Sequence, residues 1–476
     1  MQKGVTMSRG ERFYADIMAV HPGVTGSCNL VVVKSNDETI KFLVDCGLFQ
    51  EREYSELNES LPFNPSEISF VLITHLHVDH IGRLPFLVRN GFRGKIYCTY
   101  DTASLMPLAL QDSCKVLRDT SKRRGKYPLY DEGDVLLTET LIQPVHFSEA
   151  IWVNDHVKVT FFPNGHLIGA AMVLVKLVKE NSNPIDLLFT GDYNNKNMFF
   201  DVPDLPEDVH ELPLTIIQES TYGYMNSTCI KKVFKNNVLR CMEKGGTAVV
   251  PVFSLGRGQE ILYEVKLMQD SGELDRDIPV YFDGKLGIRY TNRYLSGTLS
   301  IREDMMDFLP KNLVFVDKTT RPEIVEDQNC KIILTTSGMG SYGPAQVYIP
   351  EYIQRENALI QFTGYTAEGT LGNRLKTAAF GEDVEIAGLI VRKRAEVEYT
   401  TEYSAHAKAD EMIEFLKKFK NLKLVLVNHG TTEVKEEFAK RILNEVKTKN
   451  VGILGVGYFF RVNPYGLDKP LATKFK

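Results

Sequence analysis

Apolar and polar positions follow two different patterns along the chain. In the first two hundred residues, apolar runs rich in β-branched residues at 29–34 and 39–45 flank the polar turn Ser35-Asn36-Asp37 and read as strands. A third run, 68–74, ends directly in histidines. Helical spacing follows over 80–90, with Gly91 as its stop. A strand at 95–98, a long helix from about 102 to 118 and strands at 157–162, 171–178 and 185–190 complete a strand-rich segment. That order predicts a layered α/β body rather than a helix bundle.

From about residue 212 the pattern becomes a regular alternation. Runs at 214–218, 247–252, 278–282, 331–336 and 358–362 are apolar throughout, as in a parallel sheet buried on both faces. Helical stretches lie at 230–244, 258–269 and 344–354. Beyond about 394, a strand at 422–428 sits between helices at 408–420 and 434–447. No repeat, low-complexity tract or Pro/Ser-rich linker separates these parts, so the second domain is expected to be inserted or tightly docked. The expected division is a first domain over 1–210, a second over 211–394, and a return to the first over 395–476.

Composition narrows the class. The chain has 476 residues, 43% hydrophobic and 25% charged, with a formal net charge of −5. That is an ordinary globular balance and excludes a disordered or collagen-like chain. No apolar run reaches the ~18 residues that span a bilayer, and residues 1–16 are polar, so the expectation is a cytoplasmic protein with no membrane partner. The seven cysteines are odd in number, scattered and without a CxxC pair, which predicts buried thiols in a reducing compartment. Mild acidity argues against broad non-specific nucleic-acid binding, although bound metal can reverse the field inside a cleft.

The histidines carry the chemistry. Three of the ten fall in His75-x-His77-x-Asp79-His80, immediately after the strand at 68–74. At a strand end alternate side chains converge, so His75 and His77 can reach one point while Asp79 and His80 turn to a second. Imidazole nitrogen and carboxylate oxygen suit Zn²⁺. Two further ligands are expected at strand-end turns: His166 in Pro163-Asn164-Gly165-His166, and Asp192 in Thr190-Gly191-Asp192, whose carboxylate can bridge two cations.

These motifs resemble successive motifs of the metallo-β-lactamase superfamily, whose earlier strand-end aspartate matches Asp45 in Val44-Asp45-Cys46-Gly47. Gln218-Glu219-Ser220-Thr221, Tyr403-Ser404-Ala405-His406-Ala407 and Val427-Asn428-His429-Gly430 resemble the further motifs of its β-CASP branch. The resemblance implies an αββα sandwich with an inserted parallel-sheet β-CASP domain. It implies a dinuclear site with two Zn²⁺, one held by His75, His77 and His166, the other by Asp79, His80 and His429, with Asp192 bridging and Asp45 orienting a ligand. Asp79, Glu219 and His406 are the implied catalytic residues, His406 donating a proton to the leaving oxygen while paired with Glu219.

Histidine at 429, where DNA-directed members commonly carry valine, is similar to the RNA-processing ribonucleases, among them the cleavage and polyadenylation endonuclease and its bacterial and archaeal homologues. The implied activity is internal cleavage of RNA by a two-metal mechanism, leaving a 5′-phosphate and a 3′-hydroxyl. The alternatives are a DNA-directed nuclease and a small-ester or thioester hydrolase on the same centre. Gly-rich segments resembling the RNA-processing group (251–260, 337–339 and 364–372) imply phosphate contacts from Arg257, Ser337, Gly364, Thr370 and Arg374. Basic runs at 122–126 and 392–394 read first as a solvated helix end and a hinge, and second as guides for RNA. Absence of a KH-type module and of a long tail implies the compact two-domain form. RNA is the implied partner, with homodimerisation left open.

Overall fold

The computed structural model describes residues 13–35, 38–227, 232–364, 366, 369–448, 450–464 and 473–474. Cys229, the start of the helix expected at 230, and Tyr365, Ala367 and Glu368 of one Gly-rich segment lie outside them. The chain divides into two units, one of residues 1–197, 201–227 and 405–476, the other of residues 198–200 and 228–404.

The first unit is built on two sheets. The eight-stranded sheet runs in the spatial order Thr473–Lys474, Tyr458–Val462, Phe13–Ala19, Asn29–Ser35, Glu38–Val44, Phe70–Leu72, Lys95–Thr99, Ile142–Val145. Its last four strands are mutually parallel. The seven-stranded sheet runs Val451–Ile453, Leu424–Asn428, Leu214–Glu219, Ile185–Phe189, Ala171–Leu177, Val157–Pro163, Ala150–Asn154. Period-two alternation assigns each residue of this second sheet to a face. Val159, Phe161, Val173, Val175, Leu187 and Leu426 point at Val31, Phe42 and Leu72 of the first sheet. Their neighbours Met172, Leu188, Ile216, Val425 and Val427 pack instead against Met412, Ile413 and Leu416 of the helix Ala409–Lys417 and Phe438 and Ile442 of the helix Thr432–Glu445. The expected α/β sandwich is therefore what the chain adopts, with helices outside two face-packed sheets.

Two sequence expectations need correction. The strand at 214–219 belongs to the seven-stranded sheet of the first unit, pairing in parallel with Ile185–Phe189 and Leu424–Asn428, and not to the second unit's sheet. A strand buried on both faces carries no mark of which sheet it joins. A helix also occupies Glu132–Leu141, before the strands expected to follow the basic run, and Asp131 and Asp134 start it with a reciprocal capping box. The helix expected over 102–118 runs from Tyr100 to Arg124, started by the Thr99 hydroxyl and stopped by Gly125 in the left-handed region.

The second unit holds a six-stranded, wholly parallel sheet in the order Leu313–Val316, Val280–Asp283, Lys331–Thr335, Thr247–Pro251, Leu359–Phe362, Glu396–Tyr399. Val249, Ile333 and Ile360 line one face against Tyr348, Ile349 and Tyr352 of the helix Ala345–Tyr352. Among the described residues no helix is long and apolar enough to cross a membrane, and the described cysteines are free thiols, all buried except the half-buried Cys330.

One close backbone approach fixes the loop that carries Asp79 and His80. The turn after Glu38–Val44 lies against the His77–Arg83 segment: Cys46 N donates to His80 O at 2.7 Å, Leu48 N to Val78 O at 3.0 Å, and Arg83 N to Cys46 O at 2.9 Å. A Cβ on Gly47 would sit 1.5 Å from the Asp79 carbonyl oxygen. Backbone cannot yield as a side chain does, so Gly47→Ala should destabilise by about 1–3 kcal/mol. Urea unfolding reads this directly, and an unchanged midpoint would refute the close packing.

Candidate metal centre

Seven loops deliver the site, each leaving the carboxyl end of a strand or entering a helix. His75 and His77 follow Phe70–Leu72, and Asp79 and His80 lie on the short helix Val78–Ile81. Asp45 follows Glu38–Val44, His166 follows Val157–Pro163, and Asp192 follows Ile185–Phe189. Glu219 ends Leu214–Glu219, His429 follows Leu424–Asn428, and His406 precedes Ala409–Lys417. Strands of like direction in two packed sheets present their carboxyl ends at one edge, where such sheets bind ligands.

The structure brings the expected ligand atoms together. His77 Nδ1 lies 3.2 Å from His75 Nε2 and 3.1 Å from His166 Nε2. Asp192 Oδ2 lies 3.7 Å from His75 Nε2, 3.9 Å from His166 Nε2 and 3.3 Å from His80 Nε2. Asp192 Oδ1 is 3.3 Å from His429 Nδ1, and Asp79 Oδ2 is 3.9 Å from His80 Nε2. The sets His75–His77–His166 and Asp79–His80–His429 can each hold a cation, and Asp192 stands beside both. Ligands of a tetrahedral zinc at ~2.0–2.1 Å are about 3.3–3.4 Å apart, close to the spacing within the first set.

Burial agrees with that use, and so does the neutral state of three of the imidazoles. His80 Nε2, Asp192 Oδ1 and His429 Nε2 are buried without a hydrogen-bond partner, which is costly unless something else satisfies them. Burial pushes the His75, His77 and His166 imidazoles below their usual range, His77 to about 3, so they stay neutral and ligand-competent. Burial raises the Asp79 carboxyl. Burial would also lift Asp192, but the His429 and His80 imidazoles hold it well below the carboxylate range. His80 moves the other way: burial opposes its charge, yet Asp192 and Asp45 raise it well above the imidazole range.

Three of the candidate ligands, His80, His166 and His429, are held from behind. Asp45 Oδ2 accepts from His80 Nδ1 and from Thr74 Oγ1, both at 2.8 Å, while Oδ1 accepts from Thr74 N at 2.8 Å. His166 Nδ1 donates to the Ala405 carbonyl at 2.9 Å, which turns Nε2 inward. Thr221 Oγ1 lies 3.0 Å from His429 Nδ1. Asn164 ties two ligand loops, donating to the Thr190 and Asp192 carbonyls at 3.0 and 2.8 Å while accepting from His166 N at 3.2 Å. Sequence reasoning misses Thr74, Asn164, Thr221 and Ala405. Their only trace in the sequence is adjacency to a ligand, and threonines or asparagines in turns are common.

His406 and Glu219 form a pair at the rim. His406 Nδ1 lies 3.1 Å from both Glu219 oxygens. The Glu219 carboxylate also accepts from Tyr193 N at 2.9 Å and Thr221 N at 3.2 Å. Burial disfavours charge on His406, but Glu219 overcomes it and raises its pKa. The His406 ring is 4.8 Å from that of His166.

The remaining expected residues lie in the second unit. Arg257 is buried, with Nε 2.8 Å from Glu260 and a bond to the Thr363 carbonyl next to Gly364. Ser337 and Tyr342 close one loop, Ser337 Oγ accepting from Tyr342 N at 3.3 Å. Thr370 caps the helix Leu371–Thr377, on which Arg374 is exposed. Of the basic runs, Arg392 is paired with Asp383 and Lys393 with the Leu375 and Ala378 carbonyls, whereas Lys122, Arg123 and Arg124 are exposed on a helix's last turn.

Comparison with known proteins gives three matches along the chain: the metallo-beta-lactamase superfamily over residues 23–156, the Beta-Casp domain over 258–375, and the Zn-dependent metallo-hydrolase RNA specificity domain over 390–453. The chain is similar to transcription termination factor FttA of Methanosarcina mazei, 28% identical over 86% of this chain and 66% of that protein. It is similar to an RNase J-like protein of Methanocaldococcus jannaschii, 28% identical over 86% of this chain and 91% of that protein. To endoribonuclease ysh1 of Aspergillus fumigatus it is 26% identical over 73% of this chain and 41% of that protein. The chain thus spans about two thirds of the termination factor and less than half of the fungal enzyme. The chain belongs to the metallo-beta-lactamase superfamily of metal-dependent hydrolases, in the branch that carries an inserted Beta-Casp domain.

Proposed function

We propose that the chain is a ribonuclease that hydrolyses internal RNA phosphodiester bonds at a dinuclear zinc centre, leaving a 5′-phosphate and a 3′-hydroxyl. The observation that carries this reading is the convergence of the sets His75–His77–His166 and Asp79–His80–His429, with the Asp192 carboxylate 3.3–3.9 Å from His75, His80, His166 and His429. The match to an RNA specificity domain over 390–453 and the similarity to proteins named as ribonucleases support RNA as the substrate, and His429 supports it over DNA.

Two bound cations would supply Lewis acidity toward the phosphate oxygens and an activated water. The protein's own residues do the rest. Asp45, Thr221 and the Ala405 carbonyl fix which imidazole nitrogen faces inward. Glu219 pins His406 through Nδ1, so Nε2 is the atom that hands a proton to the departing 3′ oxygen. Glu219 also favours the charged imidazolium of His406.

Three outcomes test this reading. Metal analysis should find two zinc ions per chain, and chelation should abolish cleavage of a circular RNA that zinc restores; cleavage by the metal-free protein, or by His77→Ala at the wild-type rate, would overturn it. Asp45→Asn should weaken metal affinity about 10–100-fold, read by competition with a chromophoric chelator. His406→Ala should lower kcat by about 10²–10⁴-fold with both metals retained, and Glu219→Gln should lower it less. Loss of metal in His406→Ala would instead make that residue a ligand.

A further inference from the structure

The carboxyl edge of the eight-stranded sheet continues past the metal centre. Lys95–Thr99 pairs in parallel with Phe70–Leu72, and Ile142–Val145 in parallel with Lys95–Thr99, so the residues after both emerge on the edge that bears His75. At a strand spacing of about 4.8 Å, they emerge roughly 5 and 10 Å to the side of the metal-binding loop. The residues that emerge are Tyr100 and His146. Their rings are stacked, with centroids 4.2 Å apart and planes at 29°. Both are exposed, Tyr100 by half of its surface.

Both rings stand on rigid mounts. Tyr100 opens the helix Tyr100–Arg124 and follows its cap, Thr99. Thr99 Oγ1 and Thr102 Oγ1 both donate to the Gly169 carbonyl, at 2.6 and 3.0 Å, which fastens this helix start to the loop carrying His166. His146 is held between the buried Val145 and Phe147, which packs on the core. Tyr100 is thus presented outward beside a second ring, on a helix start anchored to the loop of a candidate ligand.

We propose that Tyr100 and His146 form a platform on which a nucleobase of the substrate strand stacks beside the metal centre, an inference that rests on the reading of RNA as substrate. Every base has a π-face, so such a platform adds affinity and register without reading sequence. It would hold a nucleotide neighbouring the scissile one, so that the strand cannot slide past the cations.

The test uses the full chain and a short single-stranded RNA, with an abasic ribonucleotide placed at each position in turn. Tyr100→Ala and His146→Ala should each raise KM about 5- to 50-fold with kcat changed less than about threefold, while Tyr100→Phe and His146→Phe should keep wild-type KM. One abasic position should raise the wild-type KM by a similar factor and add nothing in the alanine variants. Unchanged KM in the alanine variants, or loss in them that is the same with every abasic substrate, would overturn the platform. Wild-type protein that cuts no RNA would overturn the underlying reading instead, and the platform with it.

Discussion

Three imidazole nitrogens gather beside a carboxylate, with His77 Nδ1 3.2 Å from His75 Nε2 and 3.1 Å from His166 Nε2, His75 and His166 being buried and His77 half-buried. A neutral His77 can donate from Nδ1 to its neighbours, but His80 Nε2, Asp192 Oδ1 and His429 Nε2 beside them have no hydrogen-bond partner. A buried polar group without a partner costs on the order of 1–3 kcal/mol, and several are gathered here. The rest of the first unit can be understood as what holds that arrangement together until a cation compensates it. The superfamily assignment and the donor set point to the same remedy by separate routes.

Holding it together is a matter of backbone as much as side chain. Asp45 and His429 both lie at positive φ, 64° and 50°, in a region that residues other than glycine seldom enter. Each is compensated locally. Asp45 N donates to Leu72 O and its carboxylate takes three bonds from Thr74 and His80, while the His429 carbonyl accepts from Ser220 N. Strain kept at two strand ends and compensated by neighbouring bonds is typical of a site whose geometry is functional rather than merely stable. Gly47 serves the same end from the other direction, since only its missing Cβ lets the Asp45 turn lie against the Asp79 carbonyl.

How much of this is legible in the sequence depends on sequence distance. His75, His77, Asp79 and His80 stand within six positions, and a strand end suffices to explain their convergence. His166 and Asp192 are legible as histidine and aspartate in glycine turns after apolar runs. Asp45, Glu219, His406 and His429 carry no local signal of convergence, and only family resemblance links them. Arg257 shows one limit of reading residues singly: its Nε meets Glu260 and its guanidinium the Thr363 carbonyl, partners that the Gly-rich segment does not announce. The strand at 214–219 shows a second limit, because an unbroken apolar run tells how deeply a strand is buried and not beside which partner.

The chain order explains why the centre tolerates an insertion. Leu214–Glu219 and Leu424–Asn428 are hydrogen-bonded neighbours in one sheet, although about two hundred residues separate them. The second unit occupies 228–404, between these strands, and the return supplies His406, His429 and the Ala405 carbonyl. The entropic cost of closing such a loop grows only logarithmically, by about 0.6 kcal/mol per doubling of length. A long insertion there is therefore nearly as cheap as a short one, provided its own sheet folds independently, and the six-stranded parallel sheet has its own apolar core. The centre is complete only when the return strand is paired, because that strand carries His429 to the others.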